Sequence, residues 1–315
     1  MALFYGSYVG YGSSATTASA VFHGTGEQYG VGMGNGPGPY TDHIQKFSFT
    51  SASAATDVAN LTGSGRGFAG GCSSETYGFC VGGGYPLSNI IDKHQFDTTD
   101  DSTDVGDLTG SRADPCCTSS VDYGFSAGGY PYTAAIDTFQ FSATANATGH
   151  GNLARTTATA KPMFSATHGY ASGGSGPAVT QRDKYAFASN TTAIDDGDEL
   201  SGHDSYGDGT TSGTHGFAVG GTPSGGGATN IIDRTAFDSG GTATDWGDLS
   251  EAGDVGCCSS AVDYGYKGGG GSATDRERIE KFAYASDAGS VDTGVGMLSI
   301  NSASQSFGYM GACQY

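Results

Sequence analysis

The chain alternates short apolar runs with stretches rich in Gly, Ser, Thr and Asp, and the apolar residues recur with a period of two. In the run Ile136–Phe141 the fourth and sixth residues are aromatic, and Ile279–Tyr284 repeats the pattern. Alternate residues of a strand point to the same face, so these positions predict one buried, aromatic face. No apolar run with helical spacing reaches the length of a helix. The pattern predicts an all-β protein.

A second type of run precedes each of these strands and consists of an aromatic-Gly-aromatic segment followed by Gly-Gly, as in Tyr77–Gly83. Such repeats start at residues 29, 77, 123, 168, 215 and 264, and the fragment Phe307–Gly311 begins the motif again. The intervals are 43 to 49 residues, and a fixed period in this range indicates a repeat architecture. A third element, Asp104–Leu108, predicts a turn. About four short strands per repeat are typical of a β-propeller.

The terminal segments decide how such a ring closes. Six complete repeats lie between Tyr29 and Leu298, and residues 1–315 are predicted to form a single propeller domain. Leu3–Val9 and Phe307–Gly311 predict terminal strands, in segments 1–28 and 299–315, that form a composite seventh blade. Such a blade would remove the open sheet edge. A ring of six blades with free terminal strands is the alternative.

The amino-acid composition and charge make some classes of function unexpected. The chain has 13 Lys and Arg against 32 Asp and Glu, a net charge of -19, so nucleic acid is not expected as a partner. No run of 18 apolar residues predicts membrane insertion. The segment Met1–Val9 has no basic region followed by an apolar one, so we expect no secretory signal and synthesis in a host cytoplasm.

The cysteines and the regular charges predict structural roles. The seven cysteines include the pairs Cys116-Cys117 and Cys257-Cys258, without a CxxC motif. We expect buried, reduced thiols at inner positions, with redox or metal roles as the alternative. The second residue of the aromatic strand is usually acidic and the third usually basic, as in Asp92 and Lys93. This placement predicts a repeated ion pair between strands.

Clustered aspartates raise the question of calcium. Asp97, Asp100, Asp101, Asp104 and Asp107 form one cluster, and Asp195, Asp196, Asp198 and Glu199 form another. Calcium takes six to eight oxygen ligands, and neither cluster has the EF-hand spacing. Asp also caps backbone N–H groups in turns, which accounts for these residues without a metal. We therefore expect no cofactor and keep calcium as the alternative.

The repeats resemble known families. A Gly-Gly after one strand, an aromatic strand after a variable loop and a period of about 50 residues resemble kelch repeats. Runs such as Ile136–Thr148 and Asp104–Leu108 are similar to the Gly-rich, kelch-like repeats of tailed-phage structural and tail-fibre proteins. The resemblance covers Tyr29 to Met310. Cellular kelch repeats carry a Trp late in each repeat, whereas this chain has only Trp246, aligned with Val105.

The resemblance implies a non-enzymatic virion component, located at the tail, fibre or capsid surface, that serves assembly or host-surface binding. The expected partners are other virion proteins and a host-surface glycan or protein, with homo-oligomers also open. An extracellular microbial adhesin or surface-layer component is the second hypothesis. A propeller enzyme acting on glycans is the third, although no catalytic set interrupts the repetition and no enzyme is predicted.

The loops after each Gly-Gly differ most between repeats and include Tyr85–Asn89 and Tyr130–Thr133. Equivalent loops of a propeller fall on one face, and variable loops on a rigid scaffold commonly bind partners. Tyr85, Tyr130 and Tyr132 are the predicted binding residues, because Tyr offers a rigid contact surface with a polar tip. The alternative is that they pack against neighbouring loops or another subunit. The acidic charge favours a neutral glycan or a protein surface as the ligand.

Overall fold

The computed structural model describes residues 29–35, 40–49, 53–84, 86–176, 180–200, 205–223, 226–254, 256–270, 277–297 and 311–314. Every helix or strand assigned within these ranges is a β-strand, as the alternating pattern predicts. Across the same ranges, no helix has the length and apolarity needed to span a membrane. The predicted terminal strand Leu3–Val9 lies outside the described residues.

The described strands form six antiparallel sheets of four strands, the blades of a β-propeller. The inner strands of blades 1 to 6 are Gly311–Gln314, Gly70–Ser73, Cys116–Ser119, Lys161–Phe164, Asp208–Thr211 and Cys257–Ser260. The second strands are Tyr29–Asn35, Tyr77–Val81, Tyr123–Ala127, His168–Ser172, His215–Gly221 and Tyr264–Gly268. The third strands are Thr41–Ser48, Ile90–Gln95, Thr133–Gln140, Gln181–Ala186, Thr229–Ala236 and Arg278–Ala283. The outer strands are Thr56–Asn60, Thr103–Asp107, Thr148–Thr157, Ile194–Asp198, Thr244–Asp248 and Val291–Gly296.

The ring closes with six blades in the described part of the chain, so the prediction of seven blades is wrong. The six-blade alternative is confirmed in its number of blades, but its C-terminal strand is not free. The C-terminal strand Gly311–Gln314 pairs with Tyr29–Asn35 and supplies the inner strand of blade 1. Each inner strand contacts the inner strands of both neighbouring blades, and Gly311–Gln314 contacts those of blades 2 and 6. In blades 2 to 6 the inner strand comes from the segment before the aromatic-Gly-aromatic strand, whereas in blade 1 Gly311–Gln314 takes this place and completes the first repeat. Phe307–Met310, the rest of the predicted terminal strand, lie outside the described residues.

In four blades, the glycine of the aromatic-Gly-aromatic motif makes room for an aromatic ring of the third strand. Gly124 pairs with Phe139 across the sheet, and a Cβ atom on Gly124 would lie 2.4 Å from Cζ of Phe139. Gly169 has the same relation to Tyr185. A ring that lies flat over a strand leaves no room for a side chain beneath it. The motif therefore reflects side-chain packing within the blade.

Aromatic stacking joins each blade to the next. The second aromatic residue of a second strand stacks on the aromatic residue that directly follows the third strand of the next blade, with ring centroids 4.3 to 4.9 Å apart. The stacked pairs are Phe79–Phe141, Phe125–Phe187, Tyr170–Phe237, Phe217–Tyr284 and Tyr266–Phe49. At the remaining interface Val31 and Phe96 share one apolar cluster. The predicted aromatic face is therefore confirmed, and it forms the core between blades.

The Asp-Val-Gly-Asp segment is an outer strand, so the prediction of a turn over Asp104–Leu108 is corrected. The strand ends at Asp107, and a register shift lies opposite it between Ile91 and Asp92. Gly106 has a φ of 153°, and a Cβ atom there would lie 2.4 Å from the carbonyl oxygen of Ala145 in the next blade. The bulge and the close approach of another backbone explain why this strand looked like a turn.

The regular acidic residues do form buried ion pairs, although not with the basic residue that follows each of them. Arg112 donates to Asp137 at 2.8 Å and to the carbonyl oxygens of Gly128 and Ala135. Arg66 pairs in the same way with Asp92. Both arginines come from the segment that connects one blade to the next.

The basic residue of the third strand instead lies over an aromatic ring of its own blade. Lys46 lies 4.0 Å from the ring centroid of Tyr29, and Lys93 lies 4.1 Å from that of Tyr77. The ion pair predicted between strands is therefore corrected for Asp92 and Asp137, whose partners are arginines of the connectors. A period of two places adjacent residues on opposite faces of a strand, which separates the two charges.

Candidate functional site

The post-Gly-Gly loops share one face of the ring with the segments that connect successive blades. We call this the connector face; it is formed by the described loops after the second strands and by the connector residues 61–69, 108–115, 158–160, 199–200, 205–207, 249–254 and 256. Antiparallel bridges join a connector to the loop beside it at Gly67 and Gly84, Ala113 and Tyr130, Ala158 and Ser175, and Ser205 and Thr222. The prediction that these loops fall on one face is therefore confirmed for the described loops.

Two of the three predicted binding residues are exposed on the connector face. Tyr130 is 45% exposed and Tyr132 is 52% exposed. Their rings meet edge to face with centroids 6.1 Å apart, so each ring keeps a free side toward solvent. Tyr85 lies outside the described residues. Tyr130 and Tyr132 therefore provide a small aromatic platform on a rigid part of blade 3.

Three further aromatic residues of this face were not predicted. Tyr40 and Phe68 are half-buried and meet edge to face at 6.4 Å. A Cβ atom on Gly84 would lie 3.7 Å from the Phe68 ring and 3.3 Å from Ala113, the residue bridged to Tyr130. Tyr40 and Phe68 lie on the same face as Tyr130 and Tyr132, in blades 1 and 2. We call Tyr40, Phe68, Tyr130 and Tyr132 the aromatic arc. Tyr206 is exposed farther round the face.

Four connector residues with side chains have left-handed backbone conformations. Phe68, Asp114, Thr159 and Tyr206 have φ angles of 56°, 52°, 59° and 61°. The amide N–H of Asp114 donates to Phe68 at 2.7 Å, and that of Thr159 donates to Asp114 at 3.2 Å. Non-Gly residues seldom adopt this conformation. They lie 45 to 47 residues apart in the sequence. This spacing is the signal by which they could have been recognised as equivalent positions of successive repeats.

A central channel opens on the connector face and runs between the inner strands. Its wall includes Cys72, Cys117 and Cys258 near the middle and the side chains of Ser119 and Ser260 farther in. Hydroxyl groups join neighbouring inner strands here, since Ser119 accepts from the amide of Ser73 at 3.0 Å, and Ser260 from that of Thr211 at 3.1 Å. The wall is built from small and polar residues that hold the inner strands together.

The six cysteines whose side chains are described form no disulfide bond and are buried, as predicted. Burial raises the pKa of Cys80 to about 11 and the pKa values of Cys117 and Cys257 to about 12. Thiols with such pKa values carry almost no thiolate at neutral pH, and the thiolate is the nucleophile and metal ligand. Their role in the described structure is to fill narrow positions beside the channel.

Two carboxyl groups line the channel near its mouth. Burial raises the pKa of Asp114 to about 7, and it raises the pKa of Asp208 to about 7 as well. Asp208 accepts hydrogen bonds from the amides of Gly209 and Cys258. Oδ1 of Asp114 is enclosed and has no hydrogen-bond partner among the described residues. Asp114 lies in a connector and Asp208 begins the inner strand of blade 5; the comparison of whole repeats in the sequence did not identify either of them.

The calcium candidates serve local and inter-blade hydrogen bonds. Asp104 accepts from the amide of Gly106 at 3.0 Å, and Asp101 accepts from Asn60 at 2.9 Å. Asp97 accepts from Gln95. Asp100 and Asp107 lie in the same loop and outer strand. Within the described ranges, no three His, Cys, Asp or Glu side chains are placed to hold a metal ion, so we do not carry calcium further.

The opposite face carries the turns between inner and second strands. The exposed apolar residues of these turns lie in blades 3 and 6, which share the sequence Val-Asp-Tyr: Val121 and Tyr123 in one, Val262 and Tyr264 in the other. In blades 4 and 5, His168 and His215 replace the tyrosine, and each meets the preceding threonine hydroxyl at 2.8 Å. Both histidines directly follow tight turns, and within the described residues no carboxylate or thiol is hydrogen-bonded to either ring.

Comparison with known proteins adds no functional assignment. The chain matches no protein-family model, and no curated protein is similar to it at a significant level. The candidate site is therefore defined by geometry alone: the aromatic arc on the connector face and the adjoining mouth of the central channel.

Proposed function

We propose that this protein is a non-enzymatic, adhesive structural component of a tailed-virus particle and that it contacts a host-surface glycan or protein through the aromatic arc. The repeats are similar to Gly-rich, kelch-like repeats of tailed-phage proteins over most of the chain. The observation that carries the binding part is the exposed pair Tyr130 and Tyr132 on a face whose loops are pinned to the connectors.

The arc suits a neutral ligand. Backbone bridges restrain the loops that carry its rings. Little backbone conformational entropy is therefore lost when a ligand binds. Tyr combines an apolar ring with a hydroxyl group and stacks on sugars and on protein surfaces. Arg66 and Arg112 lie beneath the face but are buried in ion pairs. These two side chains therefore do not provide exposed cations for an acidic ligand.

The proposal is tested by replacing Tyr130 and Tyr132 together with Ala in the full chain. The labelled protein is measured for binding to an array of neutral oligosaccharides and, by flow cytometry, to a panel of bacterial strains. We expect binding at least tenfold weaker, which corresponds to about 1.4 kcal/mol. Because both residues lie in an exposed loop, the thermal unfolding midpoint should change little.

A matched control comes from the opposite face. Tyr123 and Tyr264 are 41% and 39% exposed, somewhat less than Tyr130 and Tyr132, so their double replacement by Ala removes a comparable aromatic surface at another place. This control should bind as the wild type does. Equal loss in both variants, or full binding by the folded variant of Tyr130 and Tyr132, rejects the aromatic arc as the binding surface.

The second hypothesis, an extracellular microbial adhesin or surface-layer component, uses the same face. Gene neighbourhood separates the two. Tail or baseplate genes beside this gene favour the virion component, whereas secretion genes favour the adhesin. Immunogold labelling of virus particles with an antibody to the propeller provides the direct test of virion location.

A further inference from the structure

The interface between blades 1 and 2 is built differently from the other five. Each of those has a stacked pair of aromatic rings, whereas here Val31 stands in place of one ring and shares an apolar cluster with Phe96. Blade 1 also closes the propeller, because its inner strand Gly311–Gln314 comes from the opposite end of the chain. An aliphatic side chain therefore replaces an aromatic one at a border of the closing blade.

His94 of blade 2 occupies a position that belongs to an aromatic ring in four other blades. The equivalent residues are Phe47, Phe139, Tyr185 and Phe282, with Thr235 in blade 5. His94 is only 2% exposed and pairs with Gly78 across the sheet. In the next blade the equivalent ring contacts the second strand of the preceding blade, as Phe139 contacts Phe79. By the same repetition, the His94 ring lies at the side of blade 2 that packs on blade 1.

One nitrogen of the His94 ring is sealed inside this interface. Nδ1 is enclosed and has no hydrogen-bond partner among the described residues. The charged form of histidine carries a proton on both nitrogens. Its Nδ1 N–H group would therefore lie buried without water or an acceptor, and burying such a group is costly. The closed interface accepts the neutral ring, and charging the ring favours opening.

The charges nearest to His94 do not compensate for this cost. Burial lowers the pKa of His94 below its ordinary value of 6.5, and the positive charge of Lys46 lowers it as well. Lys46, on the third strand of blade 1, donates at 2.7 Å to a backbone carbonyl oxygen two residues from His94. Asp100 and Asp101, in the loop after the His94 strand, favour the charged ring but do not outweigh burial.

The other neighbours in blade 2 and the connector supply no free charge. Cys80 lies in the apolar cluster of this interface, and because burial raises its pKa to about 11, its thiol is neutral. The connector from blade 1 carries Arg66, which is paired with Asp92. His94 is therefore the group of this interface whose charge changes in mildly acidic solution.

We propose that His94 makes the interface between blades 1 and 2 an acid-sensitive joint, which opens in mildly acidic solution before the other blade interfaces do. Opening exposes the ring to water, where it takes up the proton that the closed interface excludes. The contribution of His94 is fully present above pH 6.5 and is lost as pH falls toward the lower pKa of the closed state. This device does not depend on the adhesive function.

Hydrogen–deuterium exchange, followed by mass spectrometry on the full chain, measures the opening. Peptides over Tyr29–Asn35 and Ile90–Gln95 report this joint, and peptides over Tyr123–Ala127 and Gln181–Ala186 report the interface of blades 3 and 4. After correction for intrinsic exchange, the opening constant of the joint should rise at least about threefold between pH 7 and pH 5. Uptake of one proton limits the rise to about tenfold per pH unit. The interface of blades 3 and 4 should show no such rise.

Two variants identify the group responsible. His94→Phe introduces the ring found at the equivalent position of blades 1, 3 and 6, and its joint should open equally at pH 7 and pH 5. His150→Phe replaces another buried histidine, which donates to the carbonyl oxygen of Ala186 at 2.9 Å, and should keep the response of the wild type. Asp114 and Asp208 titrate in the same range, and comparing the wild type with His94→Phe cancels their contribution.

The outcomes separate the proposal from a general effect of acid. A constant opening of the wild-type joint between pH 7 and pH 5 overturns the proposal, and so does an equal rise in His94→Phe. An equal rise at the interface of blades 3 and 4 rejects a local joint. If His94→Phe does not fold, His94→Gln serves as the variant without a titrating ring and is judged by the same outcomes.

Discussion

Gly124→Ala tests whether the aromatic-Gly-aromatic motif exists for packing. The added Cβ atom would lie 2.4 Å from Cζ and 2.8 Å from Cε1 of Phe139, and 2.9 Å from Sγ of Cys72. Favourable contacts between heavy atoms need about 3.5 to 4.0 Å. The Phe139 ring has little freedom to move, since it contacts Phe79 at 5.5 Å and Phe141 at 5.9 Å between centroids.

The expected change in the free energy of unfolding is the sum of two opposing contributions. Overpacking a well-filled core costs about 1–3 kcal/mol. Replacing Gly by Ala restricts the unfolded chain and returns about 0.4–1 kcal/mol when the backbone conformation is compatible. Gly124 does not have a positive φ, so this second term applies. The net prediction is a destabilisation of about 1–2 kcal/mol, from steric overlap.

Urea unfolding followed by the fluorescence of the single Trp246 measures the change. Gly149→Ala is the matched control, because Gly149 is also in a strand of blade 3 and a Cβ atom there would meet nothing within 4 Å. Its midpoint should stay near that of the wild type. Adding Phe139→Leu to Gly124→Ala should recover part of the loss. If Gly124→Ala unfolds at the same urea concentration as Gly149→Ala, the packing explanation of the motif is wrong.

Three other predictions address the blade contacts. Arg112→Met leaves the buried Asp137 carboxylate without its partner and should cost about 3–5 kcal/mol in urea unfolding, whereas Arg112→Met combined with Asp137→Leu should cost less; equal losses would contradict a buried ion pair. Deleting residues 311–315 removes the inner strand of blade 1 and should lower the thermal midpoint in calorimetry, and an unchanged midpoint would show that this strand does not close the ring. A carboxyl group whose pKa rises on folding favours the folded state at low pH, and this contribution is lost as pH rises from the unfolded value of 3.8 toward about 7. The stability gained by Asp114→Asn relative to the wild type should therefore grow across that range in unfolding curves, and a constant difference would contradict the raised pKa.

The repeat length of 43 to 49 residues and the alternation of apolar residues with a period of two were sufficient to predict the class of fold. Aromatic residues at alternate positions, as in Phe139 and Phe141, predicted strands with one buried face, and the structure places these rings between blades. Such patterns are local, because the alternation of apolar and polar residues along one strand can be recognised without the rest of the chain. The shared face of the variable loops followed from the same repetition.

The number of blades, the partners of the buried acids and the candidate site were decided by the tertiary structure. Sequence alone suggested that the last fragment starts a blade, whereas ring closure pairs Gly311–Gln314 with the first repeat. Arg112 and Asp137 are 25 residues apart, and only the path of the connector brings them together. Phe68 and Asp114 likewise meet across two repeats. Contacts between residues far apart in the chain depend on how the blades pack, and no local pattern contains that information.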